Sequence, residues 1–307
     1  MDVISADELT EPDPELPGVV DAGPAREAPP EPVNRSWIGS VAWYVVLSAL
    51  ALLVLLPVWL TLMRALSTPA AAVKPGASPF VPHQIQWDVF RRAIDQGDLW
   101  AALYRSMVVT LLITFGQVFT SLLAAYAFAY LRFPFKRVIF AVFMATLLLP
   151  IEVTLLPNLH TVRDLNWFNS FQGMAVPFMA TALGTFLIRQ GFLGIPADIR
   201  DATRLEGYGH WAYLWKFAVP LTRPVIASFT VISFLTAYNQ YLWPRAVITD
   251  TDNWATMQIA LRGLTSTPET SNIAVAGALV AAIPIVILLI LFSRQIVQGL
   301  TAGAVKG

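Results

Sequence analysis

Two groups of residues in this 307-residue chain have the types and spacing to do chemical or mechanical work. The first is a charged run, Ile199-Arg200-Asp201-Ala202-Thr203-Arg204-Leu205-Glu206-Gly207-Tyr208-Gly209-His210-Trp211, leading to Phe217-Ala218-Val219-Pro220-Leu221-Thr222-Arg223-Pro224. Residues 201–206 are helix formers with an acid at each end, and Gly207 can supply the positive φ of a sharp turn. Tyr208, His210, Trp211, Tyr213, Trp215 and Phe217 then follow. Two readings fit this run. It is a rigid lever whose rings seat in a partner's groove, or it is an interfacial amphipathic helix with its rings at headgroup level. The second group is polar residues inside oily sequence: Glu152, Asn158, Tyr238, Asn239, Gln240 and Tyr241. An acid inside a span is expensive and is by default functional. These side chains line a substrate pathway, or they hydrogen-bond spans together.

Enzyme chemistry finds little support. No Gly-x-x-x-x-Gly-Lys-Ser/Thr phosphate loop occurs, so an ATP site of that kind is not expected on this chain. His83, His160 and His210 fall in different loops, with no His-Glu-x-x-His pair and no Gly-x-Ser-x-Gly elbow. The absence of cysteine removes disulfides, thiolate metal sites and cysteine nucleophiles. No metal site and no cofactor are expected on this chain. An intramembrane hydrolase would need a Ser/His or metal constellation at one depth. A secondary transporter would show internal repeats or charged coupling sites. Both fit poorly.

The elements that must carry these residues are membrane helices. Composition is 56% hydrophobic and only 13% charged, against about 25% charged in a soluble domain. Net charge is zero, which gives no basic surface for nucleic acid. Six windows are long and apolar enough to cross a hydrocarbon core: residues 40–63, 106–131, 138–159, 173–193, 218–243 and 273–292. Backbone groups in lipid must be satisfied within the segment, so each window is read as a helix. Pro150, Pro157 and Pro284 predict kinks. Counting 1.5 Å per residue from Val138 puts Glu152 about 21 Å from the inner surface, near the depth of the Asn239–Gln240–Tyr241 group.

Lys and Arg set the orientation. Arg132, Lys136 and Arg137 follow the second span, and Arg189, Arg200, Arg204, Lys216 and Arg223 surround the loop after the fourth. Both termini and these loops are therefore expected in the cytoplasm. Residues 67–104 and 244–272 then face outward, with Arg91, Arg92 and Arg105 as loop charges beside Asp88, Asp95 and Asp98. Residues 1–36 are acidic and proline-rich (Pro12, Pro14, Pro17, Pro24, Pro29, Pro30, Pro32) and do not read as a secretory leader. They are expected to be a disordered cytoplasmic tail, with residues 37–307 forming the membrane domain.

The charged run resembles the coupling loop of the permease subunits of bacterial ABC importers. The family shows an acid, Ala-Ala, then Asp-Gly. Here Asp201, Ala202, Thr203, Glu206 and Gly207 stand in that pattern, with Tyr208 in place of a small residue. Ala124-Ala125-Tyr126-Ala127-Phe128-Ala129 with Arg132-Phe133-Pro134, Gly184-Thr185-Phe186-Leu187-Ile188-Arg189-Gln190 and the run 299–307 resemble the carbohydrate-type, maltose permease-like subfamily. Pro150-Ile151-Glu152-Val153, Asn239-Gln240-Tyr241-Leu242-Trp243-Pro244 and Ile248-Thr249-Asp250 resemble its sn-glycerol-3-phosphate branch.

The resemblance implies an all-α polytopic protein with six transmembrane helices and a cytoplasmic coupling helix between spans four and five. It implies residence in a bacterial plasma (inner) membrane. The implied partners are a second permease subunit, a dimer of ATPase subunits holding ATP and Mg, an extracytoplasmic substrate-binding protein and the lipid bilayer. Asp201, Ala202, Thr203, Glu206, Gly207, Tyr208, His210 and Trp211 would couple to the ATPase. The implied cargo is sn-glycerol-3-phosphate or a glycerophosphodiester, with a sugar such as a disaccharide as the alternative. A phosphate-bearing cargo needs a cation, and Arg163, Arg245 and Arg262 are candidates, unless they are solvated loop charges or contacts to the binding protein.

Overall fold

The structure is a computed structural model that describes residues 37–72, 74, 76, 78–264 and 271–301. The expected tail over residues 1–36, and the end of the 299–307 motif, lie outside the described residues. Every regular element described is helical. In order these are α1 (Trp37–Leu66), α2 (Pro69–Ala72), α3 (Val89–Gly97), α4 (Leu99–Tyr130), α5 (Lys136–Ala145), α6 (Ile151–Asp164), α7 (Phe171–Ala175), α8 (Ala182–Leu193), α9 (Ala197–Leu205) and α10 (His210–Tyr213). Then come α11 (Val219–Leu221), α12 (Arg223–Tyr238), α13 (Leu242–Val247), α14 (Thr251–Trp254), α15 (Met257–Gly263) and α16 (Ser271–Thr301). The chain divides into two units, residues 1–54 and 55–307. The described part of the first is the exposed, apolar opening of α1.

Three helical segments are long and apolar enough to cross a membrane unbroken: Val41–Leu66, Leu99–Tyr130 and Ser271–Gln295. Three further candidates are bent pairs. The third window breaks at Leu149 and Pro150, both extended, with 101° between its halves. The fourth turns by 47° between the 3-10 turn Val176–Phe178 and α8. The fifth bends by 80° at Thr222, just before the Arg223-Pro224 start of α12. Proline tolerates a first helical turn but cannot donate a ladder hydrogen bond, so such residues mark breaks.

In the second unit α4 packs against α8 and α12, and α12 packs against α16. The stripe of α4 that makes this possible is rich in small residues: Ala102, Ser106, Thr110, Gly116, Ser121 and Ala125 are buried beside Val109, Ile113 and Leu122. Lipid is as apolar as leucine, so close approach through small side chains must hold such helices together. A Cβ on Gly184 would fall 2.2 Å from Phe229 Cζ and 2.4 Å from Ser121 Oγ. One on Gly116 would fall 2.5 Å from Met179 Cγ. The opposite face of α4 (Trp100, Tyr104, Leu111, Phe115, Phe119) is exposed.

Polar side chains mend the break before α8. Gln117 Nε2 donates to Phe178 O at 2.9 Å, and Thr120 Oγ1 donates to Met179 O at 2.8 Å. Ser233 Oγ on α12 donates to Gln117 Oε1 at 2.7 Å. The interrupted ladder frees these carbonyls, and in an apolar medium they need donors. Gln117 and Thr120, two of the polar residues that dot the second window, therefore join three helical segments.

One expectation needs correction. The helix that holds the second window begins at Leu99, seven residues before the predicted Ser106, and the loop before it contains α3. Arg105 lies within α4, beside the Asp98 expected near it. It is largely covered, donates to Ala255 O at 3.1 Å, and lies 3.6 Å from Asp98. Its head finds these partners across the fold, which a count of charges along the sequence does not anticipate.

Candidate functional site

The charged run folds as α9 and α10 joined by a tight turn. α9 starts at Ala197 after Pro196 and ends in a cap built around Gly207. Gly207 has φ +82°, its N–H donates to Arg204 O at 3.0 Å, and the Tyr208 N–H donates to Thr203 O at 3.0 Å. That pair of bonds is a Schellman cap, whose left-handed position favours glycine. Thr203 is buried, with its hydroxyl on Arg200 O at 2.8 Å. Asp201, Ala202, Glu206 and Trp211 are exposed. Leu205 is 91% exposed at the tip. The sequence reading missed Leu205, although one leucine among polar neighbours on a short helix was the available signal.

Behind the turn lies a cavity of about 160 Å³, lined by Tyr126, Tyr130, Arg200, Arg204, His210 and Tyr213 among others. Tyr126 Oη lies 2.9 Å from His210 Nδ1, fastening the loop to the end of α4. Tyr126, Tyr130, Phe192, Tyr213 and Phe217 make a chain of ring contacts, and Lys216 Nζ sits 5.3 Å from the Tyr208 ring centre. Of the aromatic run Tyr213 is buried, Tyr208 and Phe217 are half-buried, and His210, Trp211 and Trp215 are exposed. Trp211 stays outside, in edge contact with Trp215 at 5.9 Å between centroids. Asp201 lies 3.7 Å from Arg200 and 3.8 Å from Arg204, exposed pairs of little energetic worth. A five-residue π-helix, Leu214–Ala218, precedes Val219-Pro220-Leu221. Widening the ladder there accommodates a proline whose ring would clash with the carbonyl four residues back.

The other polar group sits at the opposite end of α12. Tyr238 is buried and its hydroxyl donates to Ala281 O at 2.9 Å, tying α12 to α16. The helix ends there, and Asn239, Gln240 and Tyr241 form a turn into α13 rather than the last turn of a longer span. Asn239 is exposed, donates to Leu235 O at 2.8 Å and accepts from Gln258 Nε2 at 3.4 Å. The Arg262 guanidinium lies 4.0 Å from the centre of the Tyr241 ring.

Glu152 and Asn158 lie on α6. Glu152 is an exposed residue in the first turn, where a carboxylate suits the helix dipole. The 101° break means that a straight count from Val138 does not give its depth. Arg163, on the same helix, stands eleven residues and about 16 Å of helical rise from Glu152, too far to neutralise it. Asn158 falls on the stripe Leu155, Leu159, Val162 that packs toward Trp243 and Val247. Among the described residues no hydrogen bond or ion pair joins Glu152 to the 239–241 turn.

Comparison with known proteins places this architecture. The family described as "Binding-protein-dependent transport system inner membrane component" matches residues 117–302. The sn-glycerol-3-phosphate transport system permease protein UgpE of Yersinia pestis bv. Antiqua (strain Antiqua) is 36% identical over 204 residues, covering 64% of this chain and 71% of that protein. UgpE of Escherichia coli O1:K1 / APEC is 34% identical over 204 residues, covering 66% and 72%. A solved chain of a bacterial ABC transporter involved in the import of the acidic polysaccharide alginate superposes with a TM-score of 0.69. That chain is 22% identical, with 87% of this chain and 99% of that one covered, and it shares the fold. The chain belongs to the binding-protein-dependent inner membrane components, the permease subunits of ABC importers.

Proposed function

We propose that this subunit helps carry sn-glycerol-3-phosphate or glycerophosphodiesters inward across a bacterial plasma membrane. The similarity to the UgpE proteins, at 36% identity over 71% of one of them, carries the reading. Six spans cross the bilayer if each bent pair counts as one, with both termini and the α9–α10 loop in the cytoplasm. The excess of Arg and Lys around that loop supports this orientation. Residues 1–36 then form a cytoplasmic tail, and 37–307 the permease domain. The chain pairs with a second permease subunit, and an ATPase dimer supplies ATP and Mg.

In this mechanism the exposed tip of α9, with Asp201, Ala202, Leu205, Glu206 and Trp211, seats against an ATPase subunit. Thr203, Gly207, Tyr208 and His210 hold its angle. Closure of the ATPases on ATP pushes the loop, and the push acts on α4 through the Tyr126–His210 contact and on α12 through Thr222. Such a push shifts the inward–outward equilibrium only as far as the loop's contacts differ between the two states. The path from the binding protein runs past the 239–241 turn, with Glu152 and Asn158 on the neighbouring α6. Tyr238 supports that path by locking α12 to α16, not by facing it.

The test is uptake of labelled sn-glycerol-3-phosphate, a glycerophosphodiester and maltose, in cells with and without this chain. Loss of the phosphate compounds alone is expected. Loss of maltose alone overturns the cargo and leaves the importer class standing.

A further inference from the structure

Four cations gather where α4 ends, and among the described residues no carboxylate pairs with any of them. Arg189 on α8 donates from Nε to Phe128 O at 3.2 Å. Lys136, at the start of α5, donates from Nζ to Leu131 O at 2.9 Å and Ala129 O at 3.4 Å. Both side chains belong to half-buried residues, and the exposed Arg132 and Arg137 flank Lys136 in the sequence. Capping a helix C-terminus explains part of this, since its last carbonyls need donors. It does not explain the charge, because a helix end carries only about half a negative unit. Nor does it use up the donors: the two Nη groups of Arg189 have no acceptor among the described residues. No Asp or Glu occurs between Asp98 and Glu152 or between Asp164 and Asp198, so α4, α5 and α8 hold no counter-charge of their own.

An apolar strip lies beside the cations. One face of α5 turns toward α4 and α8: Phe140 and Phe143 stand 5.1 and 6.1 Å from Phe128 between ring centroids, and the Arg189 guanidinium is 4.5 Å from the Phe140 ring centre. The other face, Val138, Ile139 and Val142 with Phe135 before them, is exposed. α4 is long enough to cross a bilayer, which puts its end at headgroup level. Cations there, next to an uncovered apolar strip, fit an amphiphile with an anionic head. Its phosphate oxygens match the planar donors of a guanidinium, and its acyl chain follows the strip.

We infer that an anionic phospholipid of the phosphatidylglycerol class binds at the seam of α4, α5 and α8. Arg189 and Lys136 hold its phosphate, Arg132 and Arg137 stand at the rim, and Phe135, Val138, Ile139 and Val142 carry a chain. The lipid supplies the negative charge that these helices lack. Which leaflet it occupies rests on the orientation proposed above, whereas the site itself does not.

The experiment places the complete importer in nanodiscs of equal phosphatidylglycerol and phosphatidylcholine. Native mass spectrometry then counts each lipid retained per assembled complex. The wild type should retain phosphatidylglycerol in excess. A basic residue near an anionic surface is worth about a factor of five, so Arg189→Gln with Lys136→Gln should cut that excess by up to about 25-fold. Arg189→Lys with Lys136→Arg keeps both charges and should keep most of the excess. Arg91→Gln removes an exposed cation on α3 and should change nothing. Equal retention of the two lipids by the wild type overturns the inference. So does an excess that survives the double glutamine variant, which marks general surface attraction. The thermal midpoint of the lipid-stripped wild-type complex should rise with phosphatidylglycerol and not with inorganic phosphate; an equal rise with phosphate marks a soluble-anion site and overturns the lipid reading. Loss of the second permease subunit from the double glutamine complex, in place of lost lipid, assigns the cations to carboxylates of that partner instead.

Discussion

Replacing Gly207 with valine tests the loop with a cost that can be worked from the structure. Gly207 has φ +82°, and a Cβ added there meets nothing within 4 Å. The penalty is therefore torsional and not a clash. A left-handed L-residue costs about 1–2 kcal/mol, and a β-branched one is an outlier there. With 1.4 kcal/mol worth a factor of ten, the capped turn loses about 5- to 30-fold in population against unwound alternatives. The two cap bonds, Gly207 N–H to Arg204 O and Tyr208 N–H to Thr203 O, go with it. Asparagine tolerates this conformation, so Gly207→Asn should lose much less. Proline should lose most, because its φ is fixed near −65° and it has no N–H for Arg204. The assay is a ratio in proteoliposomes: ATP hydrolysed per substrate imported, with the binding protein loaded. The ratio should rise in the order Asn, Val, Pro while membrane insertion is unchanged. Wild-type uptake by the valine and proline variants would refute the coupling role. Equal damage by asparagine and valine would refute the torsional argument.

Three further outcomes are expected. Gln117→Leu strips the donor from Phe178 O and the acceptor from Ser233, so its thermal midpoint in detergent should fall, by about 1–3 kcal/mol of stability. Gly184→Leu forces atoms into Phe229 and Ser121 and should cut the yield of assembled complex, through an overpacking cost of about 1–3 kcal/mol. Uptake should change more in Glu152→Gln than in Asn253→Ala, whose exposed amide only bonds Asp250 at 2.8 Å; equal, negligible effects would make Glu152 a packing residue.

The helical, membrane-spanning character was legible because it rests on hydropathy, which acts over twenty residues at a time. The Gly207 turn was legible because only glycine takes that φ without cost. The breaks were harder. Pro150 announced a kink, but the bend after Phe178 depends on Gln117, sixty-one residues away, to satisfy its carbonyl. Arg105 read as a loop charge because its partners, Ala255 O and Asp98, are set by tertiary packing. Tyr238 read as part of a pathway, since a polar tip in an oily run looks alike whether it faces a cavity or the carbonyl of Ala281.

The same distinction bears on how motion passes through the subunit. A rigid lever needs stiff elements with compliance at few points. α4 is unbroken over 32 residues and carries contacts at both ends: Tyr126 to His210 near the loop, and Ser106 Oγ accepting the Met257 N–H at 2.7 Å near α15. The helices beside it are interrupted, at Thr222 and between Phe178 and Ala182, and at the second of these Gln117 and Thr120 satisfy the freed carbonyls. Thr222 bonds Ala218 O at 2.7 Å, and Gln117 bridges Phe178 and Ser233. Hydrogen bonds at a break let backbone angles change without exposing carbonyls to lipid, whereas apolar packing alone would not. On the mechanism proposed above, Gln117 and Thr120 would let a broken helix move against the unbroken α4 while its carbonyls stay bonded.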